Sequence, residues 1–359
     1  MSLKNLWRNN FIRKKYIADK QSNYLESVSA GINNRLILFL VPGFDRVNGG
    51  ILSIISLAEE TEKLKSRHKA DVFVCTMPGD PPLSRFTKFK NSMHVVDLQM
   101  LLSRSNGSGS VLVHIPEIFV ERYSQKIKQL VTDHPGIQWQ FNILLQNIDL
   151  IPKRSSVECL KEYGTTTCTT AHQAYSNKET EDLIGCSIYH FSVWVSPEKY
   201  INNSYEEKRN LIVVSPDKHP RRKEILEFLK GRMSDYEFRV IKNMTYEEYK
   251  RVIASAKFSL TFGEGLDGYL IEPVFSGSVG SAVYNNKFFT DDLSELPFIY
   301  PSWDELKARF PEDVESIDNA ERYSFTNSLQ FKAFAMHYSH EKYIQNLMDY
   351  YDICFKGSA

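Results

Sequence analysis

The chain has 359 residues, of which 42% are hydrophobic and 25% charged, and its 44 basic residues are balanced by 44 acidic ones. A single core stops growing at roughly 250–300 residues, so two domains are expected. Zero net charge offers no global field for nucleic acid, and no run of about 18 apolar residues exists to span a bilayer. The cysteines Cys75, Cys159, Cys168, Cys186 and Cys354 are odd in number and widely spread. They form no Cys-x-x-Cys pair, which argues against a disulfide framework and a structural zinc site and predicts free thiols in a reducing cytosol. The first residues are mixed, without a secretory apolar stretch.

In chain order, residues 3–25 read as a helix carrying Leu6, Trp7, Phe11, Ile12 and Tyr16 among Lys4, Arg8, Arg13, Lys14 and Lys15. Such a basic amphipathic helix suits either the domain beneath it or an anionic membrane surface. Leu36–Pro42 is a continuous apolar run, as a strand buried on both faces should be. Ile51–Lys65 has helical spacing. Strands are predicted at Asp71–Thr76, His94–Leu98 and Val111–Ile115, then a helix near Val120–Thr132, then strands at Phe141–Leu145 and Thr166–Thr170. Around Val193–Lys208 the pattern lapses, and Ser196-Pro197 and Asn202-Asn203-Ser204 read as a linker.

A second alternation follows. Strands are expected at Asn210–Ser215, Glu237–Ile241 and Phe258–Phe262, with helices at Arg222–Arg232, Tyr246–Ala256 and Leu270–Ser276. From about Asn327 to Cys354 the chain reads as one long helical region. Strands alternating with helices imply parallel, doubly wound sheets. The expected organisation is a Rossmann-like α/β domain over 1–195, a second over 196–326, and a helical region over 327–359 crossing back to the first. Ligands of such sheets lie beyond the carboxyl ends of the strands, so two of them would face one interdomain cleft.

Three segments carry chemistry. The first is Thr261-Phe262-Gly263-Glu264-Gly265-Leu266-Asp267-Gly268, followed by Tyr269-Leu270-Ile271-Glu272-Pro273. A strand ends in a glycine-rich turn that opens a helix, so backbone amides there could hold a phosphate or sugar hydroxyls. Glu272 on the first helical turns could accept both hydroxyls of a ribose. The bland reading is a solvated glutamate on a turn and a second one favouring the helix dipole. The second segment is the basic loop after Asn210–Ser215, with Lys218, Arg221, Arg222 and Lys223; a solvated turn is its bland reading. The third is Gly43–Gly50, a glycine turn between strand and helix, where Asn48 could cap the helix and Gly49 and Gly50 would allow close backbone approach.

Together these segments resemble the retaining GT-B glycosyltransferases, whose hallmark is a glutamate, seven residues and a second glutamate. Glu264 and Glu272 match that spacing, and Gly265 and Gly277 also fit. Asp267 stands where the family has its second glycine, with Gly268 one place later. The resemblance implies a GT-B fold and transfer of a sugar from a nucleotide-sugar donor, UDP-linked by family habit or else GDP-linked. It implies a growing glycan or lipid-linked glycan as acceptor. By it, Glu264 sits near the transferred sugar and Glu272 binds the ribose. Lys218 and Arg222 neutralise the leaving diphosphate, a role in which cations stabilise developing charge. Gly49, Gly50, Gly265, Leu266, Asp267 and Gly268 line the donor site. No metal is expected, since those basic side chains take its place. The protein would be cytoplasmic, with residues 3–25 either packed on their own domain or in peripheral contact with the inner face of the membrane.

Some features point elsewhere. The family often has a histidine where this chain reads Gln146-Asn147, and Asn147 there could bind a sugar hydroxyl but carry no proton. His114 and His172, each following or ending a strand, could face the cleft or be satisfied core residues. With Asp267 and Gln146 as departures, a non-catalytic GT-B-fold subunit that binds glycan or a partner is the alternative. A nicotinamide-dependent oxidoreductase would need an acidic residue about 20 positions after Gly263-x-Gly265-x-x-Gly268; Tyr284-Asn285-Asn286-Lys287 stands there instead.

Overall fold

The computed structural model describes residues 3–29, 34–46, 49–105, 109–191 and 200–355. The chain forms two compact units. The first comprises residues 1–171, 176–191 and 346–359, and the second residues 172–175 and 192–345. The expected linker motif Ser196-Pro197 and the cap residue Asn48 lie outside the described residues.

The first unit opens with α1 (Leu3–Ser29), β1 (Arg35–Val41), α2 (Gly49–Lys63), α3 (Lys65–His68), β2 (Asp71–Thr76), β3 (Val95–Val96) and α4 (Leu98–Leu102). It continues through β4 (Gly109–Pro116), α5 (Glu117–Asp133), β5 (Ile137–Leu145), α6 (Arg154–Lys161), β6 (Thr165–Thr170), α7 (Lys178–Ile184) and β7 (Ile188–His190). The strands make a seven-stranded parallel sheet in the order β3-β2-β1-β4-β5-β6-β7. Leu36–Val41 are all buried, as the unbroken apolar run requires of a central strand covered on both faces. The order reverses between β1 and β4, where ligands of doubly wound sheets bind.

Helix α1 docks through Ile17, Gln21 and Leu25, one face at i, i+4 spacing. The Gln21 amide donates to the carbonyls of Leu83 and Val95 at 3.0 and 3.2 Å, while Phe11, Ile12 and Tyr16 stay exposed. No described helix is long and apolar enough to cross a membrane.

The second unit contains β8 (Arg209–Val214), α8 (Arg222–Arg232), β9 (Glu237–Val240), α9 (Tyr246–Ser255), β10 (Ala256–Leu260) and α10 (Gly268–Phe275). Then follow β11 (Val279–Val283), β12 (Ile299–Tyr300), α11 (Trp303–Ser316), α12 (Ala320–Tyr338) and α13 (His340–Phe355), of which residues 346–355 belong to the first unit. Its five parallel strands run β12-β11-β10-β8-β9, so the switch lies between β8 and β10. Both sheets are thus doubly wound, as the alternation predicts.

Five local expectations are corrected. His94–Leu98 is not one strand: only Val95–Val96 pairs, because Asp97 caps α4 through the Met100 amide at 2.9 Å. The first series does not close at Thr170, since α7 and β7 follow. The tail is two helices, parted where Ser339 turns extended. The second unit extends to Gln345. There Gln330 on α12 is fully buried and its side chain bonds both backbone groups of Gly280. Lastly, Lys208 is no linker residue. It is buried, and its ammonium donates to the carbonyls of Ala254 and Ser276 at the ends of α9 and α10.

Candidate functional site

In the second unit, β8 and β10 end side by side, and two loops leave their carboxyl ends. The Ser215 hydroxyl accepts from the Phe262 amide at 2.9 Å, which pins the loops together. One loop carries Asp217–Lys223, the other Gly263–Asp267. Gly265 has φ +87°, and a Cβ there would lie 2.7 Å from the Phe289 ring and 3.0 Å from the Val283 carbonyl. Only glycine fits this turn. At Gly277, with φ +81°, a Cβ would strike Asn202, Asn203 and Lys208, so this glycine seats the stretch that reads as linker.

The basic loop sorts its cations. Arg221 is tied to Glu224 and Asp304, and Lys223 faces Glu227. Arg222 turns inward: it donates to the Ser215 carbonyl at 3.1 Å and lies over the Phe262 ring at 5.6 Å. Its Nε is buried without a hydrogen-bond partner. Lys218 is exposed and forms no ion pair among the described residues. Lys218 and Arg222 are therefore the loop's cations not committed to a carboxylate.

Asp267 is the N-cap of α10, and its Oδ1 accepts from the amides of Tyr269 and Leu270 at 2.8 and 3.2 Å. The amides of Tyr269 and Leu270 at the helix start thus already have an acceptor within the chain. Burial, then the neighbouring Asp217 and Glu264, push the Asp267 carboxyl up to about 8. The Asp217 carboxylate lies against Gly263, where a Cβ would meet its Oδ2 at 2.8 Å, and that oxygen is buried without a hydrogen-bond partner. Three carboxylates, Asp217, Glu264 and Asp267, hence meet at this switch point.

Glu272 sits one turn into α10, with its Oε1 close against Gly268. Around it stand Tyr200, Tyr246 and Tyr249, whose hydroxyls are pushed up by burial and then by the Glu272 charge. Tyr200 and Tyr246 share a hydrogen bond of 2.9 Å. Glu264 faces His172, with the two side chains 3.8 Å apart. The four residues His172–Tyr175 belong to this unit. His172 and Tyr175 pack edge-on against Phe288, and Gln173 meets His337, which bonds Asp292.

Of the sequence-assigned donor residues, Glu264, Lys218, Arg222, Gly265, Leu266, Asp267, Gly268 and Glu272 all lie on the loops and helix at this one strand switch. Gly49 and Gly50 belong to the first unit, as the first residues of α2. A Cβ at Gly49 would meet nothing within 4 Å, so packing does not explain the glycine there. The Gly50 carbonyl accepts from the Gln146 side chain at 3.0 Å. The Gln146 amide donates to Glu117, whose carboxyl burial pushes up to about 7. The starts of α2 and α5 are thereby joined to the end of β5. Asp80 accepts from the Gly43 amide and from the Tyr123 hydroxyl, fixing the next loop.

His114 is a core residue. It is fully buried, stacked on Phe39, and accepts from Asn142 at Nδ1 (2.8 Å), which leaves the proton on Nε2 toward Tyr351. Burial pushes it down to about 3, so it stays neutral. Sequence reading missed Asp217, Glu117 and the tyrosines around Glu272, which have no local motif. The cap role of Asp267 did have a signal: an aspartate directly before an apolar helical run.

No protein-family profile and no curated protein matches this sequence. Solved structures do match in fold. HepE from Anabaena, in complex with UDP and glucose, is 9% identical, with a TM-score of 0.53 over 88% of this chain and 99% of that one. Sucrose-phosphate synthase from Thermosynechococcus elongatus is 10% identical, with a TM-score of 0.55 over 90% of this chain and 100% of that one. The α,α-trehalose 6-phosphate synthase from Burkholderia multivorans is 7% identical, with a TM-score of 0.53 over 90% and 100%. With its parallel sheets of seven and five strands, the chain has the GT-B fold of these glycosyltransferases.

Proposed function

We propose that the protein is a glycosyltransferase that takes a sugar from a nucleotide-sugar donor, UDP-linked in the first instance, and passes it to a glycan or lipid-linked glycan with retention. One observation supports the reading: Glu264, Glu272, Lys218 and Arg222 are all carried by the two loops and the helix that leave the strand switch of the second unit, where doubly wound sheets bind ligands. HepE, which shares the fold, is solved with UDP and glucose.

In this reading Glu272 accepts the ribose hydroxyls and Gly265–Gly268 lie along the donor. Lys218 and Arg222 meet the diphosphate as it leaves, an arrangement in which preorganised cations stabilise the charge that develops. Arg222 is held by the Ser215 carbonyl, so little reorganisation remains for it. Glu264 lies by the transferred sugar. No metal takes part. The acceptor is assigned to the strand switch of the first unit, beside Gly50, Glu117 and Gln146. Phe11, Ile12 and Tyr16, exposed beside Arg13, Lys14 and Lys15, suit α1 to an anionic membrane face.

Titration of the purified chain with UDP, GDP and ADP by calorimetry tests the donor site. Micromolar binding of one nucleotide, lost in both Glu272→Ala and Lys218→Ala, is expected, followed by release of that nucleotide from its sugar donor on turnover. Binding by none of the three refutes the assignment. A second reading, a GT-B-fold subunit that binds without turnover, is favoured by the Asp267 cap on α10. Nucleotide binding with no consumption of any donor would select it.

A further inference from the structure

The α10 N-terminus would ordinarily be the place for a donor phosphate, because its orphan amides and dipole favour an anion. Here the chain supplies its own anion. Asp267 Oδ1 takes the amides of Tyr269 and Leu270, and its Oδ2 lies 3.4 Å from the Thr261 hydroxyl. An external phosphate reaching those two amides must displace this carboxyl group.

We propose, building on the donor-site reading above, that Asp267 is a specificity-determining residue that competes with the donor's diphosphate for the amides of Tyr269 and Leu270, so that the site discriminates against phosphate charge. Two neighbours reinforce the effect. Asp217, across the switch point, has a buried Oδ2 without a hydrogen-bond partner, and Glu264 lies in the same loop as Asp267. A phosphate group entering here meets carboxylates from both loops, with Arg222 and Lys218 as the opposing cations. The nucleoside part is then held chiefly away from α10's first turn, by Glu272 and its surroundings.

Protonation modulates the competition. The groups facing Asp267 are Asp217 from the β8 loop, Glu264 and Thr261 around the end of β10, Tyr249 on α9, Tyr269 on α10 and Tyr338 on α12. Burial and the two carboxylates hold the Asp267 proton to about 8. Near neutral pH the cap is an uncharged acid, displaced more readily than a carboxylate. As pH rises through that value the carboxylate gains its full attraction for the helix start and repels phosphate.

Calorimetry of the full chain with uridine and with UDP, between pH 7 and 9, tests this. Glycine caps helices nearly as well as aspartate, so Asp267→Gly should fold. It should bind UDP at least tenfold more tightly than the wild type and uridine equally. Asp267→Asn, which keeps a cap without the charge, should bind UDP with an affinity that no longer falls with pH, whereas the wild type loses affinity across the range. Unchanged or weaker UDP binding by Asp267→Gly, with uridine binding intact, overturns the competition and leaves the donor site standing. Binding of neither probe by any of the three proteins overturns the donor site and the competition with it.

Discussion

Lys208 offers a prediction that can be worked through from the structure. Its ammonium is buried and caps the carboxyl ends of two helices at once, donating to the Ala254 carbonyl at 3.0 Å and the Ser276 carbonyl at 2.8 Å. Burial pushes the amine down from its ordinary value near 10.5 to about 7, against the opposing pull of Glu207. Between those two values the unfolded chain binds a proton that the folded chain does not, so stability attributable to this group rises with pH. The slope is about 1.4 kcal/mol per pH unit, or about 4 kcal/mol between pH 7 and 10. Lys208→Met removes the titration and orphans two carbonyls, at about 1–3 kcal/mol each, while relieving the burial of charge. At pH 6 these oppose each other and the difference from wild type should be small. By pH 10 the wild type keeps its amine bonds without a buried charge, and the variant should be the weaker by several kcal/mol. Urea denaturation of both proteins at pH 6, 8 and 10 reads this directly, because other titrating groups cancel in the difference. A wild-type-minus-variant difference that stays flat over that range refutes the assignment of a proton-losing amine to Lys208.

Other outcomes follow from the same geometry. Gly265→Ala places a methyl in a left-handed turn against Phe289 and the Val283 carbonyl, and should lower stability by about 2–4 kcal/mol, seen as a lower urea midpoint; an unchanged midpoint would show that the turn relaxes. Glu117 has a folded value raised from 4.5 to about 7, so its contribution is present at low pH and is lost as pH rises between those values. Glu117→Gln should flatten that part of the stability profile, and an identical profile counts against the burial argument. Tyr351→Phe removes a hydroxyl shared with Thr61 and His114, and a loss of about 1–2 kcal/mol is expected in the same assay.

What was legible in the sequence was periodic. The apolar run at Leu36–Val41, the strand at Asp71–Thr76 and the helix at Arg222–Arg232 follow from side-chain pattern alone, and with them the doubly wound class. So did the glycine turn at Gly263–Gly268, since a positive φ at Gly265 and the helix start after Asp267 are local requirements. Gly277 was legible as a motif match but not as a packing device. Its reason, the approach of Asn203 and Lys208, comes from another part of the chain.

Tertiary structure decided the rest. Which cations of Lys218–Lys223 stay uncommitted depends on Asp304 and Glu227, one distant in sequence and one a helical turn away. His114 and His172 look alike along the chain, each at a strand end. Yet one is enclosed by Asn142 and Tyr351, and the other faces Glu264. Sequence pattern sets which residues face inward, because strand and helix periods are properties of the backbone. Charge state and ligand access depend on burial and on partners far along the chain, and only the folded arrangement brings those together.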